Sequence, residues 1–255
     1  MPEDKMRRGL EYRSFVRKKI YFLIFLFLFT IVVFLLAIAL GSSSVSLGRV
    51  LRTLFGHGEK KDSIIILSIR LPRAVTAIAA GFGLGIVGCV MQSVLRNPLA
   101  SASTIGVSQG AAFGAAFAII VLGGGMMSAG STGAQLNVNN PVVTTLCAFF
   151  FAMVSTIFVL CLSRFREINA STLVLAGVAL SSLFSAGTTL LEYFADDVCV
   201  AAVVYWTFGD LGSTFWKEII VMGTVVVFAA IYFQLNSWNY NAMQGGEETA
   251  KGLGV

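Results

Sequence analysis

Residues 69–112 read IRLPRAVTAIAAGFGLGIVGCVMQSVLRNPLASASTIGVSQGAA, and this stretch limits the fold more than any other. Arg70 and Arg73 flank a Leu-Pro pair. A glycine-rich apolar run leads to Gln92, an Asn-Pro-Leu-Ala turn follows, and a second run of small residues begins. Glycine weakens a helix in water. In lipid, where the tails are as apolar as leucine, small residues are what lets helices approach closely. The segment therefore predicts a tightly packed membrane bundle. Composition agrees: 12% of the 255 residues are charged and 56% are hydrophobic, about half the charge of an ordinary soluble domain. Segments of ~10 alternating residues, the signature of an outer-membrane barrel, do not occur across any whole span.

A helix of about 20 apolar residues crosses the hydrocarbon core. Six segments qualify, beginning and ending near Ile20–Leu40, Leu71–Leu95, Thr104–Leu122, Pro141–Leu162, Ser171–Leu191 and Phe215–Leu235. Loops are expected at 41–63 and up to Asn140, and an irregular segment from Glu192 to Asp210. Lys5, Arg7, Arg8, Arg13, Arg17, Lys18 and Lys19 precede the first span and read as a cytoplasmic anchor. That span is too long for a signal-peptide core and has no clear cleavage site. With the N-terminus inside, 11 of the 18 lysines and arginines fall on the inner side, a modest bias resting on this cluster.

The expected packing glycines are Gly81 and Gly85 in the second span, and Gly106, Gly110 and Gly114 in the third. The fifth span carries Gly177, Ser181, Ser185 and Thr189 four apart, a stripe both small and polar. Its hydroxyls either bond back to the helix carbonyls or line a water-filled path. GLGIVG (83–88) matches a dinucleotide fingerprint literally, but lies inside an apolar span with no preceding strand. Cys89, Cys147, Cys161 and Cys199 form no CxxC pair and read as packing residues. His57, alone in a polar loop, reads as a solvated turn residue. With no Walker A sequence, Ser-His-Asp set or metal-ligand cluster, the chain reads as no enzyme in its own right. Arg70 and Arg73, around Pro72, either snorkel to the interface or pair with carboxylates on a partner. In the tail, Gly245 and Gly246 precede Glu247 and Glu248, Lys251 follows, and a short surface helix is expected.

IRLPR, then MQSVLRNPLA, then IGVSQGAA together resemble the FecCD/BtuC family of ABC-transporter permeases, which import iron–siderophore complexes, haem or cobalamin. GSSSVSLGRVLRTLFG (41–56), LVLAGVALSSLFSAGTTLL (173–191), YWTFGDLGSTFW (205–216) and EETAKGLGV (247–255) extend the likeness over nearly the whole chain after about residue 41. The resemblance implies an all-α polytopic bundle of the type II ABC importer class, working as a homodimer or with a close paralogue. Two cytosolic ATPase subunits, which carry ATP and Mg, and an extracytoplasmic binding protein complete the assembly. This chain itself would hold no cofactor and no metal, and bind no nucleic acid. It implies that Arg70 and Arg73 meet the binding protein and that Asn97, Pro98 and Leu99 lie at a cytoplasmic gate. Gly177, Ser181, Ser185 and Thr189 would line the pathway, and Gly246, Glu247, Glu248, Ala250, Leu253 and Gly254 would contact the ATPase.

The expected organisation is a cytoplasmic segment over 1–19, a transmembrane domain over 20–235 and a coupling segment over 236–255, in the inner membrane. The family usually has about ten spans against six here, so the resemblance implies a truncated chain. The rival readings are an ATP-independent channel or secondary transporter, and a non-functional membrane fragment.

Overall fold

In the computed structural model, residues 2–41, 45–123, 125–130, 133–138, 141–165, 170–212 and 214–255 are described. The side chains of Lys5, Arg7, Arg8 and Glu247, and residues Ser42–Ser44, Asn139, Asn140, Arg166, Glu167 and Ser213, lie outside the description. The helices are α1 (Pro2–Ala39), α2 (Leu47–Leu54), α3 (Lys60–Ser63), a π-helical stretch (Ile64–Arg70), α4 (Leu71–Leu95), α5 (Val107–Ile120), α6 (Pro141–Ser163), α7 (Ala170–Tyr193), α8 (Asp197–Phe208), α9 (Trp216–Leu235), α10 (Ser237–Gln244) and α11 (Glu247–Gly252).

Among the described residues, five helices are long and apolar enough to cross a membrane: Tyr12–Ala39, Lys60–Leu95, Pro141–Ser163, Ala170–Tyr193 and Trp216–Leu235. No more than 11% of the most apolar stretch of each is buried by the rest of the chain. Lipid or further helices must cover so much apolar surface. The sixth expected span, Thr104–Leu122, is instead the 14-residue α5, about 21 Å long and too short to cross. The expected irregular segment after α7 contains a second short apolar helix, the 12-residue α8. Gly106, at φ +86°, sets where α5 begins, and Gly209, at φ +79°, ends α8; both are left-handed conformations that glycine adopts without cost. The loop expected before α6 contains an antiparallel hairpin, β1 (Gly125–Gly130) and β2 (Gly133–Val138), with Gly125 opposite Val138. Its ladder is made of backbone bonds, which the Gly, Ser and Asn composition does not encode.

The chain divides into two packed units, Met1–Ile78 with Leu211–Ile220, and Ala79–Asp210 with Val221–Val255. In the first, Ile38, Ala39, Val45, Val50, Ile66 and Ala74 form the core. The helix expected to start at Leu71 begins at Lys60 and runs 36 residues through Pro72. Proline has no N–H and clashes with the preceding turn, and the helix answers by widening. Leu71 N–H bonds back to Ile66 O across five residues. In that pattern residue 72 would serve Leu67 O, which Pro72 cannot do. Trp216 Nε1 donates to Leu67 O instead, at 3.3 Å. Thr76 Oγ1 and Thr214 Oγ1, 3.1 Å apart, tie the same two segments.

In the second unit α5 is sheathed by α6, α7 and α8. Gly110 and Gly114 face α6: a Cβ on Gly110 would lie 2.8 Å from Phe151 O, and one on Gly114 would collide with Cys147 O. Phe113, Phe151 and Phe184 lock the three-helix junction, with the Phe113 and Phe151 rings edge to face at 4.9 Å. Ala116 and Ile119 of α5 pack against Ala202 and Val203 of α8. The glycines of α4 correct an expectation. Gly81 and Gly85 have nothing within 4 Å, whereas a Cβ on Gly83 would lie 3.0 Å from Val226 of α9. The four-residue spacing marks a face of small residues; the neighbour lies on another face.

Two outcomes follow. Gly114→Ala should destabilise the protein by about 1–3 kcal/mol through overpacking, while Gly81→Ala should be neutral or stabilising by up to about 1 kcal/mol. Thermal unfolding in detergent compares them. Trp216→Phe should cost about 1 kcal/mol by leaving Leu67 O without its donor, measured the same way.

Candidate translocation groove and coupling surface

The turn before α5 is irregular backbone packed against α6 and α7. Residues 101–106 are not regular helix, yet the Ile105 carbonyl lies between α6 and α7. Ser155, fully buried on α6, donates its Oγ–H to Ile105 O at 2.9 Å. Thr104 Oγ1 accepts from Ser101 N–H at 2.8 Å and donates to Ser101 O at 2.8 Å. Gly177 of α7 supplies the space, since a Cβ there would strike Thr104 O and Ile105 Cα. Gly106 is also tight, with its ideal Cβ 2.9 Å from Ser155 Oγ. Gly177, expected to line the pathway, is buried beneath this turn.

The rest of the polar stripe is open. A cavity of about 780 Å³ lies between α5 and α7, lined by Gln109, Ser181, Ser182, Ser185, Ala186, Thr189, Leu190 and Tyr193. Of the two readings of the stripe, the bonds show the first. Ser181 donates to Gly177 O at 2.9 Å, Ser182 to Val178 O at 3.1 Å and Thr189 to Ser185 O at 3.1 Å. Each hydroxyl proton is committed to its own helix, and the oxygen lone pairs remain for the cavity. Gln109 and Tyr193 were not anticipated. Gln109 is the one amide in an otherwise small and apolar run, a signal the sequence does contain.

α4 ends in a Schellman motif. Arg96 takes a left-handed φ of 47°, and Asn97 N–H bonds to Gln92 O at 3.2 Å. Asn97 Oδ1 then accepts from Leu99 N–H at 2.9 Å, shaping the Asn-Pro-Leu turn. Leu99 is 76% exposed and Pro98 is exposed. The tail meets this end of α4: Gln244 Nε2 donates to Ser93 Oγ at 2.7 Å, and Ser93 Oγ–H donates to Cys89 O at 2.9 Å. Arg96 Nη1 lies 3.9 Å from where a Cβ of Gly246 would sit. α11 begins at Gly246, φ +111°, and gives way at Gly254, φ +80°. Ala250 is buried, while Glu248 and Leu253 are exposed. The end of α4, its Asn-Pro-Leu turn and the tail thus lie together. Beside them, burial, with Tyr232 adding to it, raises the Tyr240 phenol above its ordinary 10.0. A raised acid is neutral in the fold, so its contribution is lost only as pH climbs past about 10.

Arg70 and Arg73 sit in the first unit. Arg73 is exposed, and Arg70 is half-buried, its Nη1 donating to Ile38 O and Ala39 O at 2.9 Å each. Among the described residues no three His, Cys, Asp or Glu side chains gather to hold a metal ion.

The sequence profile of the FecCD transport family matches residues 29–255. The chain belongs to the FecCD transport family. It is 46% identical to a protein of Methanocaldococcus jannaschii assigned as an ABC transporter permease, over 96% of this chain and 69% of that one. It is 31% identical to the hemin transport system permease protein HmuU of Yersinia pestis, over 88% of this chain and 65% of that one. A solved structure, described as an inward-facing conformation of a metal-chelate type ABC transporter, superposes with a TM-score of 0.74. It is 26% identical and covers 92% of this chain and 68% of its own. The family is one of membrane transport permeases rather than enzymes.

The link between tail and α4 is measurable. In a double-mutant cycle of Ser93→Ala and Gln244→Ala, scored by thermal unfolding, the coupling should be about 0.5–1.5 kcal/mol.

Proposed function

We propose that this chain is the membrane-spanning permease subunit of an ATP-driven importer whose cargo is a metal chelate of the iron–siderophore, haem or cobalamin type. The observation that carries this is the combination of family membership with an open groove of about 780 Å³ that runs along the hydroxyl stripe of α7. The groove is open on one side, so a second chain facing it would complete an enclosure around a bulky cargo. The relative named for hemin transport points the same way. Two permease chains would enclose the path, with the N-terminus in the cytosol of the inner membrane.

The mechanism follows the ends of α4. A loaded binding protein docks through carboxylates on the surface of Arg70 and Arg73, where arginine offers bidentate pairing. At the other end of the same helix, the ATPases grip the coupling segment around Gly246, Glu247, Glu248, Ala250, Leu253 and Gly254. Their motion reaches Ser93 through Gln244, and so the Asn97, Pro98 and Leu99 turn that acts as the gate. Ser181, Ser185 and Thr189 offer acceptor oxygens to the passing cargo. ATP and Mg act on the partner subunits; this chain contributes no cofactor.

The second reading, an ion-driven channel or secondary transporter, calls for acids within the membrane. Among the described residues, the acids lie at span ends and in connecting segments (Glu192, Asp196, Asp197, Asp210, Glu218). Proteoliposomes holding the permease with its ATPase and binding protein should take up chelate only with ATP. Uptake that persists after the ATPase is omitted overturns the importer reading. In the same preparation Arg73→Glu should weaken binding-protein affinity at least tenfold, the scale of one lost charged pair.

A further inference from the structure

We infer that α2 is a membrane-surface helix whose partner is the anionic headgroup layer of the bilayer, on the face opposite the N-terminal basic cluster. From Ile20, the first residue after Lys18 and Lys19, to Ala39 the chain holds about 20 residues. That is about 30 Å of helix, the thickness of the hydrocarbon core. The far boundary of the bilayer therefore falls at the end of α1. Val50 of α2, at 0% exposure, packs into a core with Ile38 and Ala39 of α1 and with Ile66 and Ala74 of the next span. This contact fixes the depth of α2 where hydrocarbon gives way to headgroups.

The helical period sorts the residues of α2 into three faces. Val50 and Thr53 are buried against the protein. Leu47, Leu51 and Leu54 recur at i, i+4 and i+7, Phe55 continues their face, and all four are exposed, Phe55 at 76%. Arg49 and Arg52 are exposed on the opposite side. An apolar face beside a cationic one is the pattern of a helix that lies in the interface, with its apolar side chains among the acyl chains. The placement is firm. Gly56, at φ +82°, closes the helix, with His57 N–H on Arg52 O at 2.8 Å and Gly56 N–H on Thr53 O at 3.1 Å. Thr53 fills the space that Gly58 leaves bare. Arg49 Nη1 pairs with Asp62 of α3 at 3.6 Å, which holds α3 beside α2. Arg52, Lys60 and Lys61 are exposed, and among the described residues no carboxylate pairs with them. Cations at headgroup depth are attracted by anionic lipid. A soluble partner would have to follow the apolar face down to the hydrocarbon boundary, where lipid already lies.

The depth of α2 follows from the spans of the first unit alone and stands apart from the import reading. The full chain in vesicles of phosphatidylglycerol and phosphatidylcholine tests it, with Phe55→Trp as reporter against the emission of Trp206, Trp216 and Trp238 in the unaltered protein. Lipid brominated high on its acyl chains should quench the new indole, and aqueous acrylamide should reach it poorly. Bromine carried on phosphatidylglycerol should quench about fivefold more per mole than bromine carried on phosphatidylcholine, the scale of one basic residue at an anionic surface. Adding Arg52→Gln, Lys60→Gln and Lys61→Gln should remove that preference while the indole stays shielded, and raised salt should weaken it. If acrylamide quenches the indole and bromine does not, α2 lies outside the membrane and the assignment is overturned. If the two brominated lipids quench alike before the charges are removed, the anionic partner is wrong. If shielding arises only when a soluble binding protein is added, or grows with the ratio of protein to lipid, the face belongs to that protein or to a second copy, and the assignment is overturned as well.

Discussion

The second unit depends on one constraint: residues 101–106 leave helical geometry in the midst of apolar helices. Non-helical backbone survives in such surroundings only where protein satisfies its polar groups. Ser155 does this for Ile105 O, the side chains of Ser101 and Thr104 do it locally, and the absence of side chains on Gly106 and Gly177 makes room. This arrangement shortens α5 and sets its small-residue face against α6. It also brings Gln109 beside the hydroxyl stripe of α7 to form the cavity.

The first unit meets a comparable problem at Pro72. A proline within a long helix removes a donor and forces a wider turn. Trp216 supplies the missing donor to Leu67 O from outside, and Arg70 uses the same region to close the end of α1. Both units thus settle an interrupted helix with side chains distant in sequence: Trp216 for Pro72, and Ser155 for the turn before α5.

Much of the architecture was legible in the residues. Five long spans follow from hydropathy, because bilayer thickness sets a minimum length that charge-free runs either meet or miss. The four-residue spacing of Ser181, Ser185 and Thr189 identified a common face, since that spacing is a property of the helix alone. The third span misled because hydropathy does not register where a helix starts. Residues 104–106 are apolar enough to count, yet Gly106 turns left-handed there. α8 was missed because its acidic start and glycine end resembled a loop at the scale of a bilayer crossing. Gly81 and Gly85 share the spacing of a packing face, but spacing does not say which face a neighbour will occupy.

What the sequence determined by itself is the class: a helical membrane protein with a polar stripe, a basic N-terminal end and the motifs of a transport family. Local chemistry suffices for that, because hydropathy, helical period and charge at span ends act over a few turns. Only the tertiary structure decided which glycines bear on a neighbour, that α5 stops short, that Gln109 and Tyr193 join the cavity, and that the tail grips Ser93. Each of these is a contact between residues far apart in the chain. A buried carbonyl takes whichever donor packing delivers to it, and sequence spacing carries no record of that delivery.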